Sequence, residues 1–310
     1  MTTLPHLIEM LGRANTGPVM EQEEWDMQVI NSKTKEVIAK HGLKKTCDKE
    51  NPVNTDDGLA DRFWEAGVDL AAQTGLHCIS TERVIQFSEE EIADAIADQP
   101  SEVRYGLGKD HTIRRRRKPE ENTVPTFTSI IGSPMSEELY VDTTAAIAAI
   151  PGVDAISGAT MVTAYGEEVL GASPMESIAG YLEARLKREA LEKAGRPGMS
   201  VTATENSPTA YGTLSSFAVP GGFKPDKDIV AILGIAELKI GFEHFFKAVH
   251  CVQCGGRLRG GQPAMVGGFA GFIWGWFHVA DYSGFEGWSH MGEIYAWPFL
   301  AAAATSAIYL

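Results

Sequence analysis

The feature that most constrains this chain is the run of strand, helix and strand over residues 153–203. VDAISGATMV reads as a buried apolar strand that carries Asp154, with Gly158 near its end. After the loop AYGEEVLGA comes the strongest helix of the sequence. It has Ser173 at the N-cap, Pro174 in the first turn, Glu176 as capping-box partner and an apolar stripe of Ile178, Leu182, Leu186 and Ala190. Gly195 ends it, and GMSVTA returns to a strand pattern. Strand, helix and strand in this order imply repeated β/α units and a parallel sheet.

A chain of 310 residues has room for one large α/β domain or two ordinary ones, and can bury a full-sized core. Its 44% hydrophobic and 22% charged residues are a globular composition, not a disordered one. Acidic residues outnumber basic ones 41 to 27, a net charge of −14, so the surface repels phosphates and nucleic-acid binding is not expected. Four cysteines are too few for a disulfide framework and fit a reducing compartment. MTTLPHLIEMLGRAN lacks the basic start and apolar run of a signal peptide, so a cytoplasmic protein is expected.

Residues 1–54 read as short helical patterns, with a weak stripe of Trp25, Val29, Val37 and Ile38. A stronger helix is expected over 56–74, capped by Asp56, carrying Leu59, Phe63, Ala66, Gly67 and Leu70, and closed by Gly75. Ser88 and Glu91 form a capping box ahead of IADAIAD. Residues 101–135 read as loop, with GLGKD, an arginine run at 114–117 whose plain reading is a solvated surface, and GSPMS. TTAAIAAI is a small helix broken at Pro151. Downstream, PGGFKPDKD is turn-rich, IVAILGIAELKI apolar, and 242–251 helical or strand-like. Residues 264–280 carry no formal charge but include four glycines, which favours buried strand and loop over a membrane span. The expected organisation is an N-terminal helical extension and loop region over 1–135 and a β/α barrel portion over 136–310.

Three constellations could carry chemistry. Cys251 and Cys254 form a CxxC beside His250, but a zinc or redox site needs further ligands, so structural cysteines are the plainer reading. His278 and His290, among Trp274, Trp276, Phe277, Trp288 and Trp297, could line an apolar pocket, although aromatics of this kind usually supply buried area. The third is the stretch GRPGMSVTATENSPTAYG at 195–212. Its polar loop follows a strand, and in a (β/α)8 barrel the carboxyl ends of strands form the active-site face. Thr202, Thr204, Glu205, Asn206 and Ser207 then offer a carboxylate and several hydrogen-bonding groups in one short span.

AGRPGMSV, followed by Thr202, Glu205, Ser207, Ala210 and Gly212, resembles the monomethylamine methyltransferase family, corrinoid-dependent enzymes of methanogens whose active site carries pyrrolysine. The likeness extends through EEWD at 23–26, Ala66 and Gly67, STERVIQFSEEEIADAI, GLGKD, the arginine run, GSPMSEE, Asp154 with Gly158, SPMES, ELKI at 237–240 and GGFAG at 267–271. It covers roughly residues 20–272 in the family's order. The resemblance implies a (β/α)8 TIM barrel with an N-terminal helical extension, incomplete at the C-terminus. It also implies a homo-oligomer and transfer of a methyl group from a small methylated amine to the cobalt of a corrinoid (cobalamin) carried by a partner protein.

Against the family pattern, Thr202 stands where pyrrolysine belongs, and Gly261 stands where an acidic residue is expected, beside a retained Gln262. The acid after the PGG turn is replaced or shifted, with Asp228 nearest. The expected catalytic set is Thr202, Glu205 and Asp228, with Asn206, Ser207, Gln262, Phe269 and Trp274 binding substrate and no resident metal. A tertiary or quaternary amine suits such a site, since its methyl is activated by charge without an imine adduct and an aromatic wall would bind the cation. The alternatives are a non-catalytic barrel kept as a binding or oligomeric scaffold and, more weakly, membrane attachment through 264–310.

Overall fold

In the computed structural model, which describes residues 4–44, 56–98, 101–115, 122, 127–130, 134–203, 209–235 and 238–261, the expected parallel sheet is present. Val153–Ser157 pairs in parallel with Ser200–Ala203, Ala155 beside Ser200, and Ser200–Ala203 pairs in parallel with Ile229–Leu233, Thr202 beside Ile229. On the other side Val153–Ser157 takes Phe127–Ile130 as a parallel neighbour. Across the sheet the order is Arg257–Gly261, Ile229–Leu233, Ser200–Ala203, Val153–Ser157, Phe127–Ile130. Each later strand is added at the same edge, with helices between, which is how the staves of a (β/α)8 barrel are laid down and gives the chain that fold class.

Phe127–Ile130 corrects the reading of 101–135 as loop, and so does the hairpin of Glu102–Tyr105 with Thr112–Arg115. The hairpin was hidden because alternating charged residues and the GLGKD turn mask a strand period. Helix Glu137–Ala148 starts earlier than TTAAIAAI suggested, its first turn carrying Glu137 and Glu138. The loop after Met161 contains a two-residue hairpin turn at Tyr165 (φ 55) and Gly166 (φ 82). The Glu137 carboxylate accepts from both turn amides at 3.0 and 3.1 Å.

Helix Pro174–Lys193 is as long as expected, but two details differ. The Ser173 hydroxyl donates to Leu170 O instead of capping, and Ile178 is exposed, while Glu176, Glu183 and Lys187 are buried. Its C-terminus closes as foreseen: Gly195 (φ 68) gives its N–H to Glu192 O at 2.9 Å, and Arg196 N–H reaches Leu191 O at 2.8 Å.

Two compact units divide the chain elsewhere than at residue 135: Met1–Gln99 with Leu233–Phe245 and Gly260–Leu310, and Pro100–Ile232 with Phe246–Arg259. In the first unit the N-terminal helices run from Leu4–Thr16 through a π-helical turn at Trp25–Val29 to Ile30–Lys40. They bury Leu7, Met10, Trp25, Val37 and Ile38. Asp56 caps Asp57–Thr74 by accepting from Leu59 N at 3.1 Å, and the Ser88–Glu91 capping box is complete. Leu76–Cys78 pairs antiparallel with Arg83–Ile85 and parallel with Lys239–Ile240. Phe242–Gln253 is a helix.

Candidate active site

Register partners in a sheet point to the same face. Thr128, Ala155, Ser200, Thr202 and Ile229 therefore share one face of the parallel sheet, with Ser157 one step on from Ala155. Tyr105 and Val103 of the hairpin pack on Ala155 and Ile229. This face carries hydroxyls along its length: Ser200 begins its strand, while Thr202 and Ser157 lie toward the carboxyl ends of theirs. Thr202 is 1% exposed and Ser200 fully buried, and neither hydroxyl finds a hydrogen-bond partner among the described residues. A buried hydroxyl without a partner costs about 1–3 kcal/mol, which makes these two atoms the natural place for a small polar ligand.

The opposite face is covered by helix Pro174–Lys193, and it is there that charge is buried. Lys187, fully buried, donates from Nζ to the carbonyl of Thr202 at 2.8 Å and pairs with Glu183 at 2.5 Å. Its ammonium also stands 5.6 Å above the Phe223 ring. Lys187 and the Tyr140 hydroxyl press so closely on Gly158 that a side chain there would overlap both, a specific reason for glycine at the end of this strand. Eleven residues before Lys187, Glu176 accepts from Thr209 N at 3.1 Å and from the Thr209 hydroxyl at 2.7 Å, and from Ala172 N at 2.6 Å. Thr202 and Thr209 bracket the expected polar loop.

Level with Val201, just before strand Ile229–Leu233, Asp228 is fully buried, and its carboxylate is committed. It accepts from both terminal nitrogens of the Arg188 guanidinium, from Val201 N at 3.2 Å and from Lys224 N at 2.8 Å. A carboxylate so occupied joins helix, turn and two strands, and has no acceptor position open toward Thr202's face. Asp228 was expected to orient substrate; its partners make it part of the frame instead. Beside it Lys227 donates to Pro197 O, and burial, then the Arg188 charge, push its ammonium down to about 8. Arg196 binds Asp110 at 2.9 Å and Val153 O at 2.6 Å, fastening the hairpin below the sheet.

Of the other expected residues, Glu205, Asn206, Ser207, Gln262, Phe269 and Trp274 lie outside the described residues, as do Thr204, His278, His290 and the run 264–310. Cys251 and Cys254 fall on the last turns of Phe242–Gln253 and just after it. Cys251 is buried and its thiol is pushed up to about 12 by burial and then by Cys254, while Cys254 Sγ lies 3.9–4.0 Å from the His250 ring nitrogens. Among the described residues no group of three or more His, Cys, Asp or Glu could hold a metal ion, and no helix is long and apolar enough to cross a membrane. A cavity of about 470 Å³ lies in the first unit, lined by Lys40, His41, Trp64 and Asp69 among others, and involves none of the expected site residues.

Sequence reasoning missed Glu176, Glu183, Lys187 and Tyr140 as site residues. The signal was present: spacings of seven and eleven return to the same side of a helix, so 176, 183 and 187 form a stripe of charge parallel to the apolar one.

Comparison with known proteins gives the family. The sequence profile of the family described as monomethylamine methyltransferase MtmB matches residues 6–279. Monomethylamine methyltransferase MtmB1 of Methanosarcina acetivorans is 33% identical over 267 residues, 84% of this chain and 56% of the relative. MtmB of Methanosarcina mazei is 32% identical over the same length. Among solved structures, monomethylamine methyltransferase of Methanosarcina barkeri superposes with a TM-score of 0.77 at 29% identity, covering 86% of this chain and 57% of the other. A hydroxylamine complex of MtmB superposes with a TM-score of 0.78. The chain thus spans about half the length of the relatives it matches. A profile match across most of the sequence, with relatives at 32–33% identity over 84% of the chain, shows that the chain belongs to the monomethylamine methyltransferase MtmB family.

Proposed function

We propose that this chain takes part in transferring a methyl group from a small methylated amine to the cobalt of a corrinoid carried by a partner protein, and does so without pyrrolysine. The observation that carries the proposal is Thr202: a buried hydroxyl at the carboxyl end of a central strand, on the face where the sheet's other hydroxyls gather. The corrinoid supplies a reduced, nucleophilic cobalt. In this reading the partner protein holds it, and no residue of this chain is assigned to do so.

The work left to this chain is to hold the amine, orient the departing methyl and keep water out. Thr202 and Ser200 can donate to an amine lone pair or accept from an ammonium N–H. Glu205, Asn206 and Ser207, on the loop that follows, complete the substrate contacts in this reading, with Gln262, Phe269 and Trp274 beyond. A threonine has no electrophilic carbon with which to trap an amine. The substrate must therefore bring its own activation, as a protonated tertiary or a quaternary amine does. The unpartnered hydroxyls favour the tertiary ammonium, which has an N–H to give them, whereas a quaternary ammonium has none and rests on an aromatic wall alone.

The test is methyl-cobalt formation followed by absorbance, with the protein, a reduced corrinoid protein and mono-, di-, tri- and tetramethylated ammonium substrates. Turnover with the tertiary amine, reduced by at least tenfold in Thr202→Val, is the expected result. No methyl-cobalt with any substrate refutes the activity and leaves a binding scaffold.

A further inference from the structure

We infer that Glu176, Gly180, Glu183 and Lys187 form a clamp that fixes both ends of the substrate loop, with Lys187 and Glu176 as positioning residues for the proposed methyl transfer; the inference rests on that reading for its catalytic consequence but not for its geometry. The four residues lie on one face of helix Pro174–Lys193, spaced by four, three and four. Three of them meet different points of the loop's flanks. Lys187 holds the carbonyl of Thr202, before the loop. Glu176 holds the amide and hydroxyl of Thr209, after it. Between them Gly180 lets helix Tyr211–Ser216 approach so closely that an added Cβ would stand 2.7 Å from Gly212 O. Glu183 supplies the counter-charge that allows Lys187 to be buried at all.

A helix that only had to pack on the sheet would use apolar residues here, since replacing a buried ion pair by well-packed hydrophobic groups is often neutral or stabilising. Three buried charges on one stripe, two of them bonded to the residues on either side of a six-residue stretch, favour specification of position over stability. Holding residue 202 and residue 209 to the same rigid helix sets the separation of these two anchor points.

The experiment is amide hydrogen exchange on the whole chain, comparing peptides that cover 202–209 with peptides inside the helix. The variants are Glu176→Gln, Thr209→Val, Lys187→Gln and Lys187→Arg, with the exposed Glu192→Gln as control. Exchange over 202–209 should rise at least tenfold relative to the helix in Glu176→Gln and Lys187→Gln, less in Thr209→Val, and be largely restored in Lys187→Arg. Referring each variant to its own helix keeps the result readable if a variant is less stable overall. Equal acceleration everywhere, or none at 202–209, overturns the clamp. In the methyl-transfer assay the same variants should lower kcat at least tenfold with KM changed less than threefold; unchanged kcat overturns the positioning role. An inactive parent protein with loop-selective exchange would refute the methyl-transfer reading and leave the clamp standing.

Discussion

Gly180→Ala separates helix propensity from packing, because the two predict opposite signs. Alanine is better than glycine inside a helix by about 1 kcal/mol, so at a free position the change stabilises. At Gly180 the new methyl would lie 2.7 Å from Gly212 O, 2.9 Å from its Cα and 3.1 Å from its carbonyl carbon. Unstrained contact needs about 3.5–4.0 Å, so the helices must part by several tenths of an ångström. The atoms in the way are backbone, and Gly212 O is already gripped by the hydroxyls of Ser215 at 3.2 Å and Ser216 at 2.5 Å, so they cannot swing aside as a side chain would. Overpacking of this kind costs about 1–3 kcal/mol, and subtracting the propensity gain leaves about 1 kcal/mol of net destabilisation. Equilibrium unfolding in urea, read as the shift of the midpoint, measures it. Gly12→Ala is the control, since Gly12 lies in a helix with nothing within 4 Å of the added carbon, and it should stabilise. If Gly180→Ala stabilises as Gly12→Ala does, the tight approach of the two helices is wrong.

Lys187→Met leaves Glu183 buried without its cation and should cost about 3–5 kcal/mol, whereas Lys187→Met with Glu183→Gln should cost clearly less; equal losses in urea unfolding would refute the pair. For Asp69, burial raises the carboxyl, but hydrogen bonds from Lys40, Gln73 and His41 outweigh it and bring it to about 2. A carboxyl depressed in the folded state contributes stability that is present above its unfolded value and lost as pH falls through the folded one. The thermal midpoint should therefore decline between about pH 4 and 2 more in the parent than in Asp69→Asn. Cys251, with its thiol near 12, should resist iodoacetamide at pH 8 while half-buried Cys254 reacts first, as peptide mass mapping would show. Treatment with hydroxylamine should leave the mass of the 200–212 peptide unchanged, because Thr202 carries no C=N carbon to attack; an adduct there would contradict the absence of an electrophile.

The β/α succession was legible where burial and punctuation agree. Val153–Ser157 is apolar and ends at Gly158, and the long helix begins at Ser173-Pro174 and stops at Gly195, so each boundary has a local cause. Phe127–Ile130 was not legible, since FTSI carries no alternation and its status as a strand comes from pairing with Val153–Ser157, a long-range fact. Thr202 drew attention because a polar loop follows a short strand. Lys187 and Glu183 escaped notice because charged residues on a helix are ordinarily solvent-facing, and only the fold reveals that this stripe faces a strand end. Asp228 is the converse case. An acid near an expected site looks functional until its hydrogen-bonding capacity is counted and found used by Arg188, Val201 and Lys224.

Those bonds share a property that bears on how a barrel of this family can carry threonine at position 202. Lys187 binds the carbonyl of residue 202, Asp228 the amide of residue 201 and Glu176 the amide of residue 209. All three are main-chain contacts. A frame that grips backbone is indifferent to the side chain it displays, so residue 202 can change without disturbing the strand end, the loop anchors or the helix behind them. The gripping residues themselves have no such freedom, because each is buried and charged and its removal strands a partner. Substitution at Thr202 should therefore alter chemistry with little effect on stability, whereas substitution at Glu176, Lys187 or Asp228 should alter both. Position 202 is in that sense a socket, and the helix stripe together with Asp228 is what keeps it in place whichever side chain occupies it.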